Sequence, residues 1–185
     1  MIFANAGALG DHLGRFIDTA IDIIRQNTNV VVAADTFEKV VLPRSTALAK
    51  DLKQQQPGYY DKNFEGQSLY SVIFANMTPI GAQLVIRDYS PVSSTKLGAP
   101  TIQVKPQQCL QNCSPGTRGI IGHQQAAEDF FEQTPNFILQ HDAIDIVRKS
   151  IDLEIVDKPL KVGPRVAIVK ATLSGIEWVQ RGVCR

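Results

Sequence analysis

The stretch from Ser90 to Gly122 constrains this chain most. It reads SPVSSTKLGAPTIQVKPQQCLQNCSPGTRGIIG, with four prolines, four glycines, and neither an acidic nor an aromatic residue. Segments with regular periodicity lie on both sides of it. A structureless connection of this length is uncommon inside a compact domain and usually serves a function of its own. We therefore read residues 90–122 as an extended arm or long loop within a single domain covering residues 1–185. Within that arm only Thr101 to Lys105 has strand character.

The flanking segments define the class. Gly10 to Gln26 places Leu13, Phe16, Ile17, Ala20, Ile21 and Ile24 at helical spacing, with Asp11, Arg15, Asp18, Asp22 and Arg25 opposite. Val30 to Ala33 and Thr36 to Leu42 are rich in β-branched residues and read as two short strands, ended by Pro43. A helix follows to Gln56, and residues 57–66 read as loop. Gln67 to Ala75 and Ala82 to Tyr89 read as a β-hairpin about the turn at 76–81. Helix is expected again from Gln124 to Gln133 and from Pro135 to Lys149. The alternation of Ile151, Leu153 and Ile155 with Asp152 and Glu154 predicts a strand. Arg165 to Leu173 predicts another, continuing past a bulge at Gly175. Short turns between most strands favour antiparallel pairing. The expectation is an α+β domain, a curved, mostly antiparallel sheet covered by about four helices.

Charge is unevenly spread although the net value is +1. Residues 123–157 are strongly acidic, whereas 90–122 and 158–185 are basic. Blocks of opposite sign can pair within a subunit or between subunits. The start of the chain shows no basic region followed by an apolar run, as a secretion signal would, and no apolar run reaches the length of a membrane span. With three cysteines, these features lead us to expect a cytoplasmic protein with no membrane partner.

Few residues suggest chemistry. Cys109 and Cys113 read as ordinary loop thiols. Two alternatives remain open: a local disulfide, or a zinc set completed by His123 and Cys184. His141 with Asp142 and Asp145 would form a histidine–carboxylate pair one helical turn apart. Asp11, Asp18 and Asp22 share a helical face, where Arg15 argues for a salt-bridged, solvated surface. No cofactor fingerprint occurs: the early glycines do not follow a strand, and the chain has neither a Walker A sequence nor His-Glu-x-x-His. The cations Lys96, Lys105, Arg118, Arg165 and Lys170 are candidates for subunit contact, and such charges could also touch a duplex DNA backbone without sequence preference.

In size, element mix and arm the chain resembles the small neck proteins of tailed phages, the tail terminators and head-completion proteins. That resemblance implies a non-enzymatic structural subunit of a homo-oligomeric ring or connector, bound to other proteins of the same assembly and carried in the virion. The alternative is a small intracellular enzyme or ligand-binding domain with residues 90–122 as its lid.

Overall fold

The computed structural model describes residues 1–7, 10–93, 98–111, 113, 124–159 and 167–181, with the backbone alone at 5–7 and 10–15. Its secondary structure is α+β, with a four-stranded antiparallel sheet, a separate two-stranded sheet and six helices among the described residues. The chain divides into two compact units, Met1–Cys113 and Ser114–Arg185, where the sequence suggested one.

The first unit runs β1 (Ile2–Gly7), α1 (Gly10–Gln26), α2 (Val30–Gln55), α3 (Pro57–Asn63), β2 (Tyr70–Thr78), β3 (Gly81–Val92) and β4 (Thr101–Cys109). The sheet order is β1-β2-β3-β4, each pair antiparallel. The amphipathic face of α1 buries Phe16, Ala20 and Ile23, while Ile17 and Ile21 lie at its half-exposed rim.

The expected strands at 30–42 are instead the first half of α2. Val30, Ala33, Ala34, Phe37, Val41, Ser45 and Ala49 are all buried, at spacings of three and four. That period puts them on one helical face and on no strand face. Asn29 starts the helix, its side chain accepting from the Val31 and Val32 amides at 2.9 and 3.2 Å. Pro43 lies inside α2 and does not end it. It removes one amide from the helical ladder. In the next turn the Ser45 and Thr46 hydroxyls donate back to the Val41 and Leu42 carbonyls.

The core between α1, α2 and the sheet is aromatic. Phe37 packs against Phe3, Phe16 and Phe74 with ring centroids 5.6, 6.4 and 5.6 Å away. Tyr70 stacks on Tyr89 at 4.4 Å.

The arm expected over 90–122 is corrected in its first half. Residues 90–92 complete β3, and β4 pairs with β3 in register from Leu84↔Cys109 to Val92↔Thr101. Pro106 sits in this strand because β4 is an edge, where a missing amide costs no ladder bond on the open side. Residues 94–97, 112 and 114–123 lie outside the described residues.

The second unit contains α4 (Gln125–Gln133), α5 (Pro135–Gln140), α6 (Ala143–Asp157), β5 (Ile168–Thr172) and β6 (Gly175–Gln180). The helix expected through Lys149 breaks at His141. Asp142 caps a new helix there by accepting from the Ile144 and Asp145 amides. That helix runs through the expected strand at 151–155. Its Glu154 is buried and accepts from the Ala127 amide at 2.9 Å, holding the first turn of α4.

The β-segment at 165–179 does not continue past Gly175. It turns back at Leu173–Ser174, giving an antiparallel pair whose irregularity lies at Ile168/Val169. Gly175 has φ +135°, a conformation that favours glycine. The β2–β3 turn uses the same device. Gly81 has φ +121°, and the Thr78 and Thr172 hydroxyls donate to the Gly81 and Gly175 carbonyls at 2.9 and 3.0 Å.

Candidate functional site

The β5–β6 hairpin gathers several exposed large apolar side chains on one ribbon. Val169↔Trp178 and Ala171↔Ile176 are register pairs on one face, and Lys170↔Glu177 is a pair of opposite charges on the other. The sequence alternates so that a two-stranded ribbon acquires one apolar and one polar side. Its apolar side is open: Val169, Ile176 and Trp178 are 36, 55 and 52 % exposed, and Leu173 at the turn is 67 % exposed. The Arg181 guanidinium lies 5.5 Å from the Trp178 ring centroid, a cation–π contact at the rim of this face.

A second group of side chains meets in the first unit. Lys53 near the end of α2, Glu65 after α3 and Ser93 after β3 converge. The Lys53 ammonium donates to Ser93 Oγ at 2.8 Å and lies 3.8 Å from Glu65. Glu65 accepts from the Ser93 amide at 2.6 Å and its hydroxyl at 2.9 Å. Burial alone raises the Glu65 carboxyl, but the two bonds from Ser93 and the Lys53 charge outweigh it and hold the group below its ordinary value. Tyr60 is fully buried alongside, with Lys53 5.3 Å from its ring centroid. Burial, then the Glu65 charge, pushes its phenol up to about 12.

A serine beside a lysine invites a nucleophilic reading. The hydrogen bonds here oppose it. Lys53 already donates its proton toward Ser93 and faces a carboxylate, and Glu65 is held as a weak base. The arrangement is a clasp tying α2, the α3–β2 connection and the end of β3. Because the carboxyl is depressed in the folded state, its stabilisation is present above the ordinary glutamate range and lost as pH falls through the folded value. The melting temperatures of wild type and Glu65→Gln are therefore expected to differ most above the ordinary glutamate range and to converge as pH falls below it. A constant difference across that range would refute the ionised clasp.

The third group is buried charge. Arg87 on β3 is 7 % exposed at its side chain and reaches Asp35 at 3.1 Å and Glu38 at 3.4 Å, both on α2. Next to it on the same strand face, Tyr89 is buried with no hydrogen bond at its hydroxyl, whereas Tyr70 shares a 2.8 Å hydrogen bond with Ser45. Burial pushes both phenols well above the usual tyrosine range.

The residues singled out from sequence are distributed as follows. Cys109 and Cys113 form a disulfide, so the reading as ordinary thiols is corrected and neither is a free thiolate for zinc. Its sulfur at Cys113 lies 3.4 Å from the Ala82 carbonyl. His123, Cys184, Lys96, Arg118 and Arg165 lie outside the described residues. Lys105 is exposed on β4 at the register position opposite Asp88, and Lys170 is exposed opposite Glu177. His141 stacks on Phe137 at 3.8 Å, and its Nδ1 lies 2.9 Å from the Phe137 carbonyl. Its expected pairing with Asp145 is replaced by the cap at Asp142, whose carboxyl the Asp145 and Ile144 amides hold below its ordinary value. Asp18 and Asp22 are exposed, with Asp22 3.8 Å from Arg25.

Sequence reasoning missed Lys53, Glu65, Ser93 and the Arg87 group because their members are far apart in the chain and share no spacing. The hairpin face was legible in the alternation of Val169, Ala171, Ile176 and Trp178, once the turn at 173–174 is placed.

The fold defines the class of protein as α+β. No protein-family model matches the chain, and neither a curated protein nor a solved structure is similar to it. Among the described residues, no helix is long and apolar enough to cross a membrane.

Proposed function

We propose that this protein is a non-enzymatic assembly subunit that self-associates, as a ring or connector component would. The observation supporting this reading is the open apolar face of the β5–β6 hairpin. Three large apolar side chains stand about half in water on a ribbon whose other side is polar. Removing such surface from water is favourable by roughly 25 cal/mol per Å². A two-stranded hairpin is also marginally stable by itself and gains from added strands or a covering layer. Both effects reward association.

The support has moved from where the sequence placed it. Residues 90–92 and 101–109 of that segment belong to the sheet of its own subunit, so the hairpin carries the proposal in place of an arm. Within this reading, the neck of a tailed phage is an assembly that the chain's size and element mix fit.

The test is light scattering after size exclusion over a wide concentration range. The expected mass is a defined multiple of the 20.3 kDa chain. A monomer at every concentration would count decisively against the proposal.

A further inference from the structure

We infer that the Cys109–Cys113 disulfide is a thiol-exchange site, opened by a small thiol of the glutathione class, and that opening it frees the end of β4 while the fold stands. This inference uses neither the hairpin nor self-association.

The bridge closes a ring of only five residues, 109–113. A disulfide stabilises a fold largely by restricting the unfolded chain, and that effect grows with the length of the ring. A ring this short is therefore a weak staple. The same thermodynamic cycle runs in reverse: folding strengthens the bond only as much as the bond strengthens folding. The fold thus adds little to the bond's own resistance to reduction. Access points the same way. Both cysteines are partly exposed, and exchange requires a thiolate to reach one of the sulfurs.

What the bond holds is local. Three successive residues of β3 meet the ring. Leu84 is the register partner of Cys109. The Gln83 side-chain amide donates to the Leu110 carbonyl at 3.4 Å. The Cys113 sulfur lies 3.4 Å from the Ala82 carbonyl. Leu110 also packs against the hydrophobic core. β4 ends at Cys109 and is paired on one side alone, with β3. Cys113 is the last residue of the first unit. The bridge therefore pins the chain to the start of β3 just where it leaves that unit.

The exchange takes two steps. A thiolate bonds to one cysteine sulfur, the S–S bond breaks, and its electron pair leaves on the other sulfur, which takes a proton from water. A second thiolate then attacks the small-thiol sulfur of the mixed disulfide and expels the remaining cysteine, which is protonated in turn. Two small thiols are oxidised to their disulfide, and the bridge is reduced to two cysteine thiols. With the ring open, Leu110 and the end of β4 keep only their contacts with β3 and the core.

Two measurements on full-length Cys184→Ser test this. The first is thiol counting in glutathione redox buffers, with the chain folded and in guanidinium. The reduced glutathione that opens half the bridges is expected to be within about tenfold in the two states, because a five-residue ring gains little from folding. The second is amide hydrogen exchange. On reduction, exchange over 107–111 is expected to speed by about tenfold or more while β2 is unchanged, as local opening requires. Adding Cys113→Ser should reproduce the reduced pattern in any buffer. A bridge that yields only when the chain unfolds, or one whose reduction unfolds the whole first unit, would make it a structural staple and overturn the inference. So would reduction that leaves exchange over 107–111 unaltered, or two free thiols under oxidised glutathione.

Discussion

Between about pH 10 and about pH 12 the unit Met1–Cys113 is expected to unfold cooperatively, with its buried tyrosines ionising in the same step. Tyr60, Tyr70 and Tyr89 are 0, 1 and 0 % exposed. Burial is the first cause of the raised phenol in each case. A group whose folded value is raised gives stability that is complete below its unfolded value and lost as pH climbs beyond it. The unfolded chain releases each phenolic proton near pH 10, whereas the folded chain holds it. Each held proton then costs about 1.4 kcal/mol per pH unit, and three together about 4 kcal/mol per unit. Set against a total stability of about 5–15 kcal/mol, two pH units suffice to unfold a domain of ordinary stability. Tyr60 stops adding to the slope once pH passes its folded value of about 12. Phenolate absorbance and far-ultraviolet circular dichroism should change together. Tyr89→Phe, which has no hydroxyl hydrogen bond to lose, should lower the slope by about a third. Gradual ionisation of all the tyrosines with the dichroism intact would show that these rings are open to water.

Much of this fold is legible in the residues. The helix at Gly10–Gln26 is there in full, because seventeen residues of 3.6-fold periodicity outweigh any local preference. The β2–β3 hairpin is legible in its two β-rich runs, which Thr78 and Gly81 join. Val30 to Leu42 misleads because valine favours strands locally while the spacing of Val30, Ala33, Ala34, Phe37 and Val41 is helical. Packing against the sheet decides in favour of the spacing. Asn29 also carries two meanings, a stop for one helix and a cap for the next, and the structure uses the second. The same competition appears at 151–155, where a two-residue alternation sits inside a helix that Asp142 had already started. Pro106 hides β4, since a proline argues against a strand everywhere except at an edge. The hairpin face was half legible, in its alternation but not its turn. The charged groups were not legible: Ser93 lies 40 residues from Lys53, and Arg87 lies 52 from Asp35.

That last separation matters, because it lets one substitution ask what the buried charge is for. Arg87→Ala is expected to cost about 3 kcal/mol, at the lower end of what breaking a buried ion pair costs. The lower end applies because Asp35 is 52 % exposed and Glu38 31 % exposed at their side chains, so water takes over part of their solvation once the guanidinium is gone. What is lost is a buried cation with two carboxylates and a bond to the Ile86 carbonyl at 3.2 Å, together with the packing of its stem beneath α2. Removing the charges together should cost far less. A chain carrying Arg87→Met, Asp35→Asn and Glu38→Gln leaves no unpaired ion and nearly preserves volume, so it should lie within about 1.5 kcal/mol of wild type. Chemical denaturation of the single and triple variants measures both numbers. Destabilisation in the single and recovery in the triple would mean that the trio fastens β3 to α2 and that the charges serve the fold. An Arg87→Ala chain as stable as wild type would mean the reverse: a guanidinium kept under a helix at no benefit to folding is held there for something that binds it.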